Sequence, residues 1–329
     1  VRLSDHACGK RAHHLHRLYK TLRPESVRHS CGRGSEDGSI MESFSGINEK
    51  TRYSCDLEIY PYLRDHHLEG KTILPAVESL IVIVRAVHSH YPRMNISYLQ
   101  NASFHRFLPI APDVTRQPVC VNMESSDDGV MTASLRTSLK SKTGHISREV
   151  EHARVDCIAA DVPACAAPPF IAIHKLKGHC ISVPAFTVYR DLVPFGAAYQ
   201  NIIGDLSVSE EGALAYLSGG DCEADEGLLG SPFPFDAVMH LACVWAQRFA
   251  GMVTFPVGFE KRIIYQKTRK REEYLGRIVP VSVTKESLTF DAWIYQDDIM
   301  CEWISGIQMM DVTHGRIKPP EWIMEGKRS

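Results

Sequence analysis

Residues 65 to 84, DHHLEGKTILPAVESLIVIV, place two histidines and an acid beside a glycine and then a long apolar run. The run LIVIV alone is typical of either a buried strand or a buried helix. Its continuation to Pro92, and the Pro75 that opens it, favour a helix. Because this helix is apolar on nearly every side, it is predicted to be buried.

A second helix is predicted over residues 235 to 249, within the segment SPFPFDAVMHLACVWAQRFAG. Pro232 and Pro234 precede it and Gly251 follows it, which is the usual order of these residue types around a helix. Each half of the chain therefore contains one helix that begins with proline and is predicted to be buried.

Segments with alternating or β-branched residues surround both helices and predict strands. Those of the first half are RYSCDLEIY (52–60), QNASFHRFL (100–108), QPVCVNMES (117–125), VMTASLRTSL (130–139) and HISREVEHARVDCI (145–158). Those of the second half are CISVPAFTVY (180–189), NIIGDLSVS (201–209), GALAYLSG (212–219), GFEKRIIYQ (258–266), EYLGRIVPVSVT (273–284), LTFDAWIYQ (288–296) and MCEWISGIQMMDV (300–312). One helix wrapped by an antiparallel sheet, made twice, is an α+β architecture.

The predicted boundaries are a disordered leader or linker over 1–45, a first unit over 46–165, a second unit over 166–315 and a tail over 316–329. The start of the chain is rich in Arg, His, Ser and Gly and has too few large apolar residues to form a core. The Ala- and Pro-rich segment AADVPACAAPPF, residues 159 to 170, is the predicted link between the two units.

The composition limits the class of protein. The chain has 329 residues, 44% of them hydrophobic, and a net charge of −2, which is typical of an ordinary globular protein. The near-neutral charge argues against general nucleic-acid binding, and no apolar stretch is long enough to cross a bilayer. The ten cysteines include no C-x-x-C pair, so we predict a reduced, cytoplasmic protein without a structural metal site.

Two short motifs could supply acid–base chemistry. In the first half, His66, Gly70 and Pro75 form H-x-x-x-G-x-x-x-x-P. In the second half, Asp236 and His240 stand four residues apart, which places both side chains on one face of the predicted helix. If the two halves pack as a pseudo-twofold pair, the motifs can face each other across the junction.

The sequence resembles the dehydratase domains of polyketide synthases and polyunsaturated fatty acid synthases, the double-hotdog family. Residues 65–75 match the D-H-x-x-x-G-x-x-x-x-P motif of their first half, and residues 236–240 match the D-x-x-x-Q or D-x-x-x-H motif of their second half. FGAAYQ, residues 195–200, is a variant of their Y-G-x-x-F-Q segment, and FPVGFEKR, residues 255–262, stands where they have L-P-F. The resemblance covers about residues 50–312.

This resemblance implies two tandem hotdog folds and a hydro-lyase reaction that converts a 3-hydroxyacyl thioester to a 2-enoyl thioester. It implies that His66 is the base, that Asp236 is the acid and that His240 orients Asp236. A neutral imidazole suits proton abstraction beside a thioester carbonyl, and a carboxyl sheltered in an apolar site can stay protonated to assist the departing hydroxyl. The N–H of Gly70 and the start of the following helix would stabilise charge on the thioester oxygen.

The resemblance also implies a set of substrate-binding positions: Pro75, Phe195, Gly196, Tyr199 and Gln200. The sequence departs from the family pattern at three places. Ala76 follows the motif proline where glycine is common, Phe195 stands where tyrosine is common, and Ala197 replaces a usual proline. These departures bear on the choice of substrate more than on the type of reaction. Phe195 lacks the hydroxyl of the family's tyrosine, and Tyr199 or Tyr189 could supply one instead.

No cofactor and no metal are implied, because the substrate is carried on the phosphopantetheine of an acyl carrier protein or on coenzyme A. The implied setting is fatty acid or polyketide biosynthesis, either as a free-standing protein, with a homodimer allowed, or beside other synthase domains. YQKTRKREEY, residues 265–274, is predicted to be a solvated hairpin; the alternative is a docking patch for an acidic carrier protein.

Two other functions fit the same fold. A product-template-like cyclase or a double-bond isomerase would use the same base and give a different product. A degenerate domain that only binds acyl chains, or that has a structural role in an assembly, is the non-catalytic alternative. A hotdog thioesterase is disfavoured, because that chemistry does not call for the histidine motif of the first half.

Overall fold

The computed structural model describes residues 50–140, 147–161, 170–222 and 226–325. Its main feature is one antiparallel sheet of 12 strands. The predicted leader over 1–45 and most of the predicted link over 159–170 lie outside the described residues. The boundaries of the two units therefore stay predictions.

Each half supplies its own strands to this sheet. The first half gives β1 (Lys50–Glu58), β4 (Tyr98–Ser103), β5 (Arg116–Ser125), β6 (Val130–Lys140) and β7 (Ser147–Ile158), together with a separate small hairpin of β2 (His67–Leu68) and β3 (Lys71–Thr72). The second half gives β8 (Ile181–Pro184), β9 (Ile202–Ser209), β10 (Gly212–Ser218), β11 (Phe255–Ile264), β12 (Glu273–Val283), β13 (Ser287–Gln296) and β14 (Ile299–Met310).

Both predicted helices are confirmed. Helix α1 spans Ala76–His90, with Pro75 at its N-cap position. Helix α2 spans Phe233–Trp245 and continues as a π-helical turn to Ala250, where Gly251 ends it with a left-handed backbone at φ 71°. Among the described residues, neither these nor the short helices Phe170–Ile173, Ala185–Thr187 and Glu321–Met324 are long and apolar enough to cross a bilayer.

The two halves meet at the centre of the sheet, where β4 pairs with β11. The strand order across the sheet is β1-β5-β6-β7-β4-β11-β14-β13-β12-β10-β9-β8. In both halves the helix precedes the central strand, the chain then crosses away from the centre, and three further strands step back toward the central strand. Helix α1 packs on β5, β6 and β7, helix α2 packs on β9, β10, β12 and β13, and the two helices also contact each other. Their apolar side chains join one core that spans both halves. The predicted α+β double-hotdog fold is confirmed.

Two strand predictions are wrong in part. QNASFHRFL was predicted to be extended from residue 100 to 108, but β4 ends at Ser103. CISVPAFTVY was predicted to be extended from residue 180 to 189, but β8 ends at Pro184 and the chain then turns helical. The physical reason is that Pro184 has no N–H for the next sheet hydrogen bond, and β8 is an edge strand that pairs only with β9. The turn brings Tyr189 into the interior, where it is buried.

A buried ion pair supports the start of α2. Arg262 on β11 donates from Nε to Oε2 of Glu302 on β14 at 2.8 Å, and both residues are almost fully buried. The Arg262 guanidinium also lies 4.3 Å from the ring centroid of Phe235 in the first turn of α2. This contact fixes the helix turn that carries Asp236.

Candidate active site

One face of α2 and the π-helical turn after it border a cavity of about 390 Å³. Counting from Asp236, the side chains at Met239, His240, Cys243 and Gln247 follow at helical spacing, and all five line the cavity. Most of the other lining residues are apolar and come from the first half, from the segment before β9 and from the C-terminal end. The cavity thus lies at the junction of the two halves.

His66 enters this cavity from the first half. It follows the 3-10 helix Pro61–Asp65, and its Nδ1 lies 3.0 Å from the carbonyl oxygen of Ile73. Because a carbonyl only accepts hydrogen bonds, Nδ1 carries the ring proton of the neutral imidazole. The lone pair is then on Nε2, which leaves this atom as the base.

The surroundings of His66 keep its imidazole neutral. Burial lowers the pKa of His66 to about 4, against the opposing effects of the Asp236 charge and of the hydrogen bond to Ile73. The charges of His240 and His67 lower the same pKa further. At neutral pH the Nε2 lone pair is therefore free to accept a proton.

The lowered pKa of His66 predicts that acid destabilises the fold through this residue. The unfolded chain takes up a proton at the ordinary pKa of 6.5, whereas the folded protein does so only at about 4. The stabilising contribution is present above the unfolded pKa and is lost as the pH falls toward the folded one. Between about pH 7 and about pH 5, we expect the wild type to lose about 2 kcal/mol more unfolding free energy than His66→Gln does. Urea unfolding at both pH values measures this difference, and equal losses in the two proteins would contradict the prediction.

Asp236 and His240 form a buried pair on α2. Oδ2 of Asp236 lies 3.0 Å from Nε2 of His240, close enough for an electrostatic contact but without hydrogen-bond geometry, and neither atom has a hydrogen-bond partner among the described residues. On the other side of the imidazole, the hydroxyl of Tyr189 lies 3.4 Å from Nδ1. The carboxyl group thus has an imidazole beside one of its oxygens.

The segment from Phe195 to Tyr199 closes over both imidazoles. The ring of Phe195 lies 4.3 Å from the ring centroid of His66 and 5.2 Å from that of His240. Asp65 holds the segment in place, because its carboxylate accepts from the N–H of Ala198 and its carbonyl accepts from the N–H of Gly196, both at 2.8 Å. A side chain at Gly196 would collide with Asp65, so the glycine allows this close approach.

The structure brings some of the predicted substrate-binding residues to the cavity and leaves others outside it. Phe195 lines the cavity. Tyr199 is buried with its ring 5.2 Å from that of His66, but it does not border the open space. Gln200 is exposed and donates to the carbonyl of Phe195, which makes it a support for the segment.

Gly70, Pro75 and Gly196 also do not line the cavity. Gly70 lies in the exposed turn between β2 and β3, with φ 75°. The contact predicted between its N–H and the thioester stays a prediction. Pro75 starts α1, and the next residue, Ala76, borders the cavity.

Several lining residues were not identified from the sequence. Met239, Cys243 and Gln247 continue the helical spacing of Asp236 and His240, so that periodicity could have revealed them. Ile317, Lys318 and Pro320 belong to the predicted tail and have no periodic signal, yet they form part of the wall. Within the ranges that the structure describes, no three His, Cys, Asp or Glu side chains are grouped as metal ligands.

Solved structures that match this arrangement of strands and helices include dehydratase domains of polyketide synthases. The dehydratase domain of a trans-AT polyketide synthase from Brevibacillus brevis matches with a TM-score of 0.64 at 16% sequence identity, over 82% of this chain and 96% of that domain. The dehydratase domain of a mycocerosic acid synthase-like polyketide synthase matches at 0.63 and 16%, over 81% and 92%. The dehydratase domain of the CurK module of curacin polyketide synthase matches at 0.63 and 14%, over 82% and 95%.

These likenesses rest on structure alone, because no family model and no curated protein matches the sequence. They confirm the predicted resemblance at the level of fold: the chain has the double-hotdog fold of polyketide synthase dehydratase domains. At such low identity the shared fold does not carry the activity over to this chain.

Proposed function

We propose that this chain, which has the fold of polyketide synthase dehydratase domains, removes water from a 3-hydroxyacyl thioester and gives a 2-enoyl thioester. The supporting observation is that His66 from the first half and Asp236 from the second half border the same apolar cavity. The two residues are near enough to interact, because a negative charge on Asp236 would raise the pKa of His66. Elimination of water needs a base and an acid at one site, and this pair can provide both.

In the proposed reaction, Nε2 of His66 takes the proton from the carbon next to the thioester carbonyl. The electrons of that C–H bond form the C=C bond while the bond between the next carbon and its hydroxyl oxygen breaks. Asp236 gives its proton to that oxygen, which leaves as water. His66 ends with one proton more and Asp236 with one fewer, so a proton returns from His66 to Asp236 before the next cycle.

Negative charge on the thioester oxygen would be stabilised at the start of α1. The first backbone N–H groups of a helix have no intrahelical partner, and no side chain caps this helix. Ala76, the first helical residue, borders the cavity close to the entry of His66. The N–H of Ala76 and the positive end of the helix dipole at this point favour the developing oxyanion.

The cavity suits an acyl chain better than a polar substrate. Its walls include Leu74, Phe104, Leu108, Val193 and Met239, and such surfaces bind hydrocarbon through the hydrophobic effect. The thioester would arrive on the phosphopantetheine of an acyl carrier protein or on coenzyme A, and other synthase domains would be its partners. The likeness to synthase domains supports this choice of carrier.

Incubation with 3-hydroxyacyl pantetheine thioesters of several chain lengths tests the proposal. We expect a product lighter than the substrate by one water, detected by mass spectrometry, and the reverse hydration when the 2-enoyl thioester is supplied. A product of unchanged mass with a moved double bond, or a cyclised polyketone, would favour the isomerase or cyclase alternative. Tight binding without turnover or α-proton exchange would favour the non-catalytic alternative.

A further inference from the structure

We propose that Tyr189 is a positioning residue that fixes the tautomer of His240 and thereby selects which oxygen of Asp236 carries the catalytic proton. The inference rests on the proposed function, because it assigns Asp236 the role of the acid. Tyr189 belongs to the π-helical turn Val188–Leu192, which the sequence pattern had placed in a strand. It does not border the cavity and acts only through His240.

The hydroxyl of Tyr189 has a defined direction. Its oxygen accepts a hydrogen bond from the backbone N–H of Ile202 at 2.9 Å. Burial raises the pKa of Tyr189 well above its ordinary value, so the hydroxyl keeps its proton. With Ile202 as the donor to this oxygen, the hydroxyl proton points toward Nδ1 of His240 at 3.4 Å, and the two rings meet edge to face.

The contact with Tyr189 determines which ring nitrogen of His240 carries the proton. Because the hydroxyl donates, Nδ1 of His240 must accept, and the proton of the neutral ring is then on Nε2. Nε2 lies 3.0 Å from Oδ2 of Asp236, an electrostatic contact without hydrogen-bond geometry, and neither atom has a hydrogen-bond partner among the described residues. The N–H of His240, and not a lone pair, is therefore the group next to Oδ2. Its positive end disfavours a proton on that oxygen, so the inferred place of the carboxyl proton of Asp236 is Oδ1.

This arrangement matters for the elimination step. If His240 took the other tautomer, the lone pair of Nε2 would face Oδ2 and would draw the carboxyl proton onto that oxygen. The proton would then be shared with His240 and be less available to the departing hydroxyl. Since one neutral hydrogen bond maintains the preference, its loss is expected to lower kcat roughly tenfold with KM nearly unchanged.

The test compares Tyr189→Phe with a matched control, Tyr274→Phe. Tyr274 is also buried, and its hydroxyl also accepts from a backbone N–H, that of Arg269, but it lies outside the cavity lining. Both substitutions therefore leave one backbone donor unpaired, and only one of them removes the partner of His240. We expect Tyr189→Phe to lower kcat roughly tenfold and Tyr274→Phe to keep a kcat close to that of the wild type.

Nitrogen-15 NMR of the ligand-free protein reads the tautomer directly, and His240→Gln assigns the signals. We expect the wild-type His240 to be protonated at Nε2 and Tyr189→Phe to shift it toward protonation at Nδ1. A wild-type ring protonated at Nδ1, or a spectrum that Tyr189→Phe leaves unchanged, would overturn the inference. The wild-type spectrum decides the first point even if the variant does not fold.

The two proposals fail in different ways. If the wild type dehydrates its substrate but Tyr189→Phe changes neither the tautomer nor kcat, the role of Tyr189 is rejected and the dehydratase stands. If Tyr189→Phe changes the tautomer of His240 but the wild type turns over no 3-hydroxyacyl thioester, the contact between Tyr189 and His240 is real but has no role in dehydration. Both the proposed dehydratase activity and the positioning role of Tyr189 are then rejected.

Discussion

His66→Gln is expected to lower kcat for dehydration by at least about a hundredfold while the protein stays folded. Nδ1 of His66 is occupied by the carbonyl of Ile73, so Nε2 is the one ring atom that can take the α-proton. A glutamine amide can still donate to that carbonyl and has a similar length, but it has no basic nitrogen. The substitution therefore removes the base and keeps the local hydrogen bonding.

His90→Gln is the matched control for this experiment. His90 also directs Nδ1 at a backbone carbonyl, that of Ala86, at 2.9 Å, but it lies at the end of α1 and outside the cavity lining. Its variant should keep the kcat and KM of the wild type, measured with the same 3-hydroxyacyl pantetheine thioester. Near-normal turnover by His66→Gln would reject His66 as the base.

The fold could be predicted because local patterns and packing agree. Proline before each helix, glycine or proline after it and apolar residues all around indicated the two buried helices. The strands were readable from alternation and β-branched residues, and the repeat of the whole order predicted the α+β architecture. Where a proline interrupted the alternation, at Pro184, the pattern misled, because the missing N–H ended the strand early.

The candidate site could be predicted only where residues that are close in the sequence are also close in the folded protein. Asp236 and His240 share a helix face by their separation of four residues, and His66 is within reach of them because the halves pack about their central strands. The remaining wall depends on long-range packing that no local spacing encodes. Pro320, for example, lies in the predicted tail and still borders the cavity.

Some motif residues support the site without contacting it. Asp65 was predicted only as the first letter of the motif, yet its carboxylate ties the Phe195 segment to the first half. Gly196 was predicted to bind substrate, whereas its missing side chain makes room for Asp65. Gln200 likewise bonds to the backbone of its own segment. A sequence motif includes every residue that the geometry of the site requires. It does not distinguish residues that bind substrate from residues that hold other site residues in place.

Asp236→Asn is expected to abolish most dehydration, again by at least about a hundredfold in kcat, with KM close to that of the wild type. The amide has the shape of the carboxyl group but no proton that it can transfer to a departing hydroxyl. The fold is expected to persist, because the amide oxygen can still face the Nε2 of His240, which lies 3.0 Å from Oδ2 in the wild type. Asp291→Asn is the matched control, since Asp291 is a buried aspartate that does not line the cavity.

Deuterium exchange at the α-carbon separates the role of Asp236 from that of His66. With the base intact, Asp236→Asn should still exchange the α-proton of the 3-hydroxyacyl thioester with D₂O, provided that C–H cleavage precedes loss of the hydroxyl. His66→Gln should lose both exchange and dehydration, because Nε2 initiates either event. If Asp236→Asn loses exchange as well, C–H and C–O cleavage occur in one step. If it dehydrates at the rate of the wild type, Asp236 is not the acid, and the proton for the leaving group comes from another donor in the cavity.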